Sequence, residues 1–252
     1  MTKLSVNLNA VAQLRNRRDV GWPSVTGIAR LVLDAGAAGI TVHPRPDERH
    51  IRRTDVFELH EVLRDYPEAE FNIEGYPSND FLALVEKVKP HQVTFVPDDP
   101  AQATSDHGWD IGGNEELLTT SITRMHALGI RVSLFIDEDP GVPALAAAVG
   151  ADRVELYTGP YGATFRLPEG AMHLQALAAT ASAAKSAAHN ASTGGAGLGV
   201  NAGHDLTLEN LPAFVAAVSG VDEVSIGHGI TADALVLGFA EAVRRYRDVL
   251  AG

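Results

Sequence analysis

The stretch Gly39–His50, GITVHPRPDERH, opens as a short β-branched run and then sets two imidazoles among arginines and carboxylates in one turn. A buried strand that spills such residues at its C-terminal end reads as an active-site rim in a parallel α/β protein, because side chains there face a shared crevice. Taken alone, the same residues would suit a solvated, salt-bridged loop. The reading therefore depends on whether other strands end the same way.

Outward from this stretch the chain alternates strand-like and helix-like segments. Strands are expected at Leu4–Asn9, Gly39–His43, Glu70–Gly75, Gln92–Val96, Arg131–Ile136, Arg153–Tyr157, Gly199–Ala202 and Glu223–Ile226. Helices are expected between them: Ser24–Gly36 with Ser24 as N-cap and Gly36 as C-cap, Thr54–Tyr66, Asn79–Val88, residues 114–128, an Ala-rich helix to Val149, Pro168–His189, Thr207–Val218 and Ala232–Leu250. Eight strand–helix units with right-handed crossovers, and no shift of composition along the chain, predict one domain over residues 1–252. Its fold class is α/β, a closed parallel (β/α)8 (TIM) barrel. An open doubly wound sheet is the alternative. The glycines at 195, 197 and 199 precede a strand and lack the G-x-G-x-x-G spacing of a dinucleotide site. Residues 97–113, aperiodic and rich in Pro, Asp and Gly, are expected to form a lid.

With 252 residues, 45% of them hydrophobic, the chain can bury a sizeable core. A net charge of −12 argues against nucleic-acid or membrane partners and still allows a small anion held by local cations. The absence of cysteine excludes disulfides and thiolate chemistry. The N-terminal segment lacks an apolar signal region, so a soluble cytoplasmic protein is expected.

Barrel logic directs attention to the C-terminal strand ends. Asn7 and Asn9 close the first strand, His43 and Arg45 the second, Glu74 the third, Glu155 and Thr158 the sixth, Asn201 and His204 the seventh, Gly227 and His228 the eighth. Histidines and glutamates converging from four apolar strands suit general acid–base work, although Glu155 could simply pair with Arg153. The four lysines, Lys3, Lys87, Lys89 and Lys185, all lie away from C-terminal strand ends, which disfavours a lysine Schiff base. A metal site from His43, His204, Glu74 and Glu155 stays open on geometry but lacks a compact ligand motif. For anions, Gly203 and the Gly227–Gly229 turn lie just before the last two helices, and Arg18, Arg45 and His50 could serve a second anion.

The segments VNLNAVAQLRNRR, GITVHPRPDERHI, FNIEGY, RVSLFID, VELYTG, VNAGHDLT and SIGHG, in that order and spanning nearly the whole chain, resemble the pyridoxine 5′-phosphate synthase family. The most specific are H-x-R-x-D-x-R-H-I and V-N-A-G-H. The resemblance implies a (β/α) barrel with added helices, assembled as a homo-octamer. The implied reaction condenses 1-deoxy-D-xylulose 5-phosphate with 3-amino-2-oxopropyl phosphate to pyridoxine 5′-phosphate, phosphate and water, with small phosphorylated substrates as partners and neither metal nor cofactor. By residue, it implies His43 and Glu74 as proton acceptors and His204 as proton donor. Arg18, Arg45, His50 and Thr104 would hold the deoxyxylulose phosphate. Asn7, Gly227 and His228 would hold the aminoketone phosphate, and Glu155 matches a glutamate at the mouth. The chain departs from the family twice: Asn9 and Ala10 replace the last two residues of N-x-D-H, and Asp205 stands where the family has glycine. Asn9 is expected to help hold the deoxyxylulose, and Asp205 to offer only its backbone N–H to phosphate. A metal-dependent sugar-phosphate lyase or epimerase on the same barrel, and a non-catalytic phosphometabolite binder, remain the alternatives.

Overall fold

The computed structural model describes residues 1–98, 105–187 and 197–252. Its strands are β1 (Lys3–Asn7), β2 (Gly39–Val42), β3 (Glu70–Gly75), β4 (Gln92–Phe95), β5 (Arg131–Ile136), β6 (Arg153–Tyr157), β7 (Gly199–Gly203) and β8 (Glu223–Ile226). All neighbours pair in parallel and β8 closes on β1, making the expected barrel. The helices are α1 (Asn9–Arg15), α2 (Val25–Asp34), α3 (Arg53–Leu63), α4 (Asn79–Val88), α5 (Glu115–His126), α6 (Val142–Ala148), α7 (Gly159–Thr164), α8 (Pro168–Ser186), α9 (Leu211–Ala217), α10 (His228–Leu237) and α11 (Phe239–Ala251). No helix among the described residues is long and apolar enough to cross a membrane.

Alternation along each strand divides the molecule into two layers. Residues such as Ile40, Val42, Ile73, Val93, Leu134, Val154, Val200 and Val224 belong to the hydrophobic core, consistent with aliphatic side chains facing the helix ring. The inward residues are mostly polar, Phe135 beside His204 being an exception, where a barrel of this kind more often stacks branched aliphatics. Ser5 Oγ meets Thr41 Oγ1 at 2.7 Å, Thr94 Oγ1 donates to Asn72 Oδ1 at 3.1 Å, and Arg153 donates to Asn201 Oδ1 at 3.0 Å. At the N-terminal end Lys3 and Arg131 both pair with Glu70, and Arg131 Nε donates to Gln92 Oε1 at 2.9 Å.

Several expected boundaries move, each for a local reason. β1 stops at Asn7, whose Oδ1 accepts the Asn9 N–H at 2.9 Å; this Asx turn starts α1, so Asn9 opens a helix instead of closing a strand. Ser24 does cap α2, accepting from Gly27 N–H at 3.0 Å, but the C-cap is Ala35 and Gly36 follows it at φ +97°. The single helix expected over Ala232–Leu250 is two, because Gly238 at φ +78° turns the chain between α10 and α11. The expected start of a helix at Thr207 moves to Leu211, leaving Gly203 inside β7 and not before a helix N-terminus. The second half of the expected lid is packed: Trp109 is buried, with Nε1 donating to the Phe95 carbonyl at 2.8 Å and its N–H to the Phe135 carbonyl at 3.0 Å. The other part of that expected lid, residues 99–104 with Thr104, lies outside the described residues.

Candidate active site

At the C-terminal end of the barrel a cavity of about 280 Å³ is lined by Asn7, Asn9, His43, Arg45, His50, Glu74, Glu155, His204, Asp205, Gly227 and His228, together with Ala10, Gln13, Ser105, Leu206, Ser225, Ile226 and Gly229. Side chains from β1, β2, β3, β6, β7 and β8 thus converge on one space. Arg18 is exposed beyond the end of α1 and is not among the lining residues.

The His43–Ile51 loop is held from outside the barrel. Asn9 Oδ1 accepts the His43 N–H at 2.9 Å, which leaves the Asn9 amide NH2 as its donor. Asn16 Nδ2 donates to the His50 carbonyl at 2.8 Å, and Arg15 to the same carbonyl at 3.2 Å. Arg15 is itself buried and forked onto Asp55 at 2.5 and 2.9 Å, while Asp55 also accepts the Arg52 N–H at 2.7 Å, starting α3. Within this loop His50 Nδ1 accepts the Ile51 N–H at 2.9 Å, so the neutral ring carries its proton on Nε2. Burial, with Arg45 and Arg49 nearby, lowers its pKa to about 4.

Electrostatics divide the site into neutral bases and protonated acids. Burial first, then the Arg45 charge, holds His43 well below its ordinary pKa; burial also lowers His204. The carboxyls move the other way. Glu74, buried and near Asp98 and Glu223, is raised, and Glu155 is raised by burial and by Glu74. Glu74 accepts a hydrogen bond from Asn7 Nδ2 at 3.4 Å. Arg153 hydrogen-bonds Asn201, and one Glu155 oxygen is buried without a protein partner, so Glu155 is a cavity group and not half of an arginine pair. Among the described residues no group of three or more His, Cys, Asp or Glu is arranged to hold a metal ion.

Asp98 was not evident from the sequence. It lies just past β4, accepts from the Arg45 guanidinium and from Ser105 Oγ at 2.8 Å, and approaches His43 Nε2 to 3.9 Å. The signal available was a strand end followed by Asp98 in V-P-D-D, obscured by the aperiodic run after it. Tyr157 and Phe135 were missed too: their rings flank His204 with centroids 5.3 and 5.2 Å from the imidazole. His204 and Asp205 both sit at positive φ, 81° and 55°, a conformation that costs about 1–2 kcal/mol per non-glycine residue. Gly227 precedes α10, and a Cβ there would lie 3.1 Å from Asn7 Cβ, so glycine lets β8 approach β1 at the rim. The helix N-terminus that follows offers backbone N–H groups to an anion.

The model of the pyridoxal phosphate biosynthesis protein PdxJ family matches residues 4–252. The chain belongs to the PdxJ family. A pyridoxine 5′-phosphate synthase of Brucella anthropi is 57% identical over 251 residues, covering 99% of each chain. One of Chelativorans sp. is 58% identical over 248 residues, covering 97% of this chain and 96% of the relative. Phosphoribosyl anthranilate isomerase from Thermotoga maritima has a TM-score of 0.61 over all of both chains at 12% identity, a likeness of fold. In this PdxJ chain the H-x-R-x-D-x-R-H-I segment is the loop held by Arg15, Asn16 and Asp55.

A third carboxyl, Glu223, is buried in β8, and burial raises its pKa to about 7. A carboxyl whose folded pKa exceeds its unfolded value binds its proton more tightly in the fold, so stability is full below about 4.5 and is lost as pH rises through about 7. Glu223→Gln should therefore raise the melting temperature relative to the parent at pH 8 and leave it nearly unchanged at pH 4.5. The gain should be about 2–4 °C for each kcal/mol recovered. Equal shifts at both pH values would show that the effect is not titration.

Proposed function

We propose that the chain is an enzyme of pyridoxine biosynthesis, a pyridoxine 5′-phosphate synthase. It condenses 1-deoxy-D-xylulose 5-phosphate with 3-amino-2-oxopropyl phosphate to pyridoxine 5′-phosphate, phosphate and water. The observation that carries this reading is one cavity holding two deprotonated imidazoles, His43 and His204, a proton-bearing carboxyl, Glu74, and the Arg45 cation. Ring formation needs an imine from the substrate's own amine, proton removals from carbon, loss of water and phosphate, and closure. Groups that exchange protons near neutral pH suit this sequence.

In this mechanism His43, neutral at rest, takes the first proton from carbon; Glu74 first gives its proton to a leaving oxygen and then, ionised, takes one from carbon; and His204, once it has picked up a proton, donates it from across the barrel. Arg45 and the Nε2–H of His50, with Thr104, hold the deoxyxylulose phosphate, Arg18 joins them only when the segment after α1 moves toward the cavity, and the Asn9 amide donates to the substrate's hydroxyls. Asn7, Gly227 and His228 hold the aminoketone phosphate. The Asp205 backbone N–H and the Glu155 carboxyl complete the rim. A desolvated mouth keeps the imine from hydrolysis. We also place the enzyme among transferases, in the cytoplasm, as a homo-octamer, acting on small phosphorylated substrates and not on nucleic acid or membrane.

Incubating both substrates with the purified chain should yield the absorbance of pyridoxine 5′-phosphate with release of phosphate; absence of both from a folded sample would overturn the assignment. Arg45→Ala should raise KM for the deoxyxylulose phosphate about tenfold or more, the scale of one charge-assisted contact, with kcat changed less. An unchanged KM would remove Arg45 from that phosphate.

A further inference from the structure

We propose that Thr158 is the positioning residue for His204. Its hydroxyl holds the two-residue left-handed turn that aims the imidazole into the cavity. This rests on the reading of His204 as proton donor and adds a residue that does not touch substrate.

Three segments converge on the turn. Thr158, fully buried at the end of β6, points Oγ1 at the carbonyls of Gly203, 2.5 Å away, and His204, 2.6 Å away. A hydroxyl has one proton, so both carbonyls share it. The Thr158 N–H binds the Gly203 carbonyl as well, at 3.0 Å. From the far side Asn210 Nδ2 donates to the Asp205 carbonyl at 2.8 Å. The third support is α7, whose first turn brings Gly162 against Asp205: a Cβ on Gly162 would lie 2.6 Å from the Asp205 Cβ and 2.8 Å from its carbonyl oxygen. Neither His204 nor Asp205 is a glycine, so positive φ at both must be imposed from outside. The rings of Phe135 and Tyr157 then fix the imidazole plane, but they cannot fix the backbone that carries it.

The consequence is directional. Without the shared proton the His204 carbonyl loses its hydrogen bond to Thr158 while the Gly203 carbonyl keeps the Thr158 N–H, so β7 stays paired and the turn beyond it can relax toward ordinary φ, withdrawing the imidazole. A displacement of about 1 Å at a reacting group can cost roughly 10²-fold in rate. Arg45, Asn7 and the Gly227–His228 turn, which carry the phosphates, are left alone, and of the binding groups only the Asp205 N–H at the rim shares the turn.

The test compares Thr158→Val, which keeps shape and removes the proton, with Thr158→Ser, which keeps the proton, in the full-length enzyme. Val is expected to lower kcat by about tenfold to 10²-fold, with KM for each substrate within about twofold, and to shift the pH–rate limb that His204 contributes. Ser is expected to restore both. In the His204→Gln background Thr158→Val should cost nothing further. Three results would overturn the proposal: unchanged kcat in the Val variant, equal loss in the Val and Ser variants, or equal loss with and without His204. If His204→Gln itself retains the parent rate, the proton-donor reading fails and not the contact. Should the Val variant not fold, Gly162→Ala presses on the same turn and must move the same limb, and an unmoved limb would count against the proposal.

Discussion

Glu74→Gln is expected to lower turnover roughly 10²-fold or more, the usual contribution of a general acid–base group, with KM for both phosphorylated substrates nearly unchanged. Glutamine keeps the planar shape and can still meet the Asn7 amide, which now donates to Glu74 at 3.4 Å. What it loses is titration. Burial and the neighbouring Asp98 and Glu223 raise the Glu74 pKa, so at neutral pH the group carries a proton and can both give and recover it. The variant should therefore also lose the limb of the pH–rate profile that lies above the ordinary carboxyl range. Stability should not fall: a carboxyl raised by the fold stabilises below its unfolded pKa and costs stability above it, so Gln should be more stable than the parent at alkaline pH. Steady-state kinetics across pH, with thermal melts on the same samples, checks each part. Near-normal turnover would end the assignment of Glu74 as a proton-transfer group while leaving the family membership intact.

The barrel was legible because short strand-like segments alternate eight times with helical ones, and the cavity because His, Glu, Asn and Arg cluster where those strands end. His43, Glu74 and His204 each stand at such a junction, so strand period alone brings them to one mouth. Asp98 stands at one too, but the aspartates and prolines after it read as loop chemistry. Contacts between residues far apart in the sequence were not legible. Nothing in R-N-R-R announces that Arg15 is buried on Asp55, forty positions away. Nor does T-G-P-Y-G announce a helix whose glycine supports Asp205. The split of the last helix at Gly238 turned on one backbone angle that a strong helical pattern on either side concealed. Polar residues inside the barrel were visible one by one, yet their meaning as a layer required the register that sets Glu155 beside Asn201 and Glu74 beside Thr94.

Removing the Asp55 carboxylate is expected to have the largest effect on stability. Arg15 is buried, and its guanidinium makes two contacts to Asp55 at 2.5 and 2.9 Å plus one to the His50 carbonyl at 3.2 Å. Asp55→Ala leaves that cation desolvated with only neutral acceptors, the His50 carbonyl and Asn16 Oδ1 at 3.0 Å, and strips α3 of the acceptor for the Arg52 N–H. Breaking a buried pair from one side costs about 3–5 kcal/mol. Urea unfolding at one fixed protein concentration should show this as a lower midpoint at unchanged slope. Asp55→Asn, which keeps an acceptor but not the charge, should fall between Ala and the parent. Replacing both partners, Arg15→Met with Asp55→Leu, should recover most of the loss, because apolar side chains of similar volume remove the stranded charge along with its partner. Activity need not follow stability in that double variant. The Arg15 contact to His50 would be gone, leaving Asn16 as the side-chain donor to the His50 end of the loop that carries Arg45, so KM should stay raised after the midpoint has recovered. An unmoved midpoint in Asp55→Ala would mean that solvent reaches Arg15 and that Asn9 and Asn16 suffice to hold the loop.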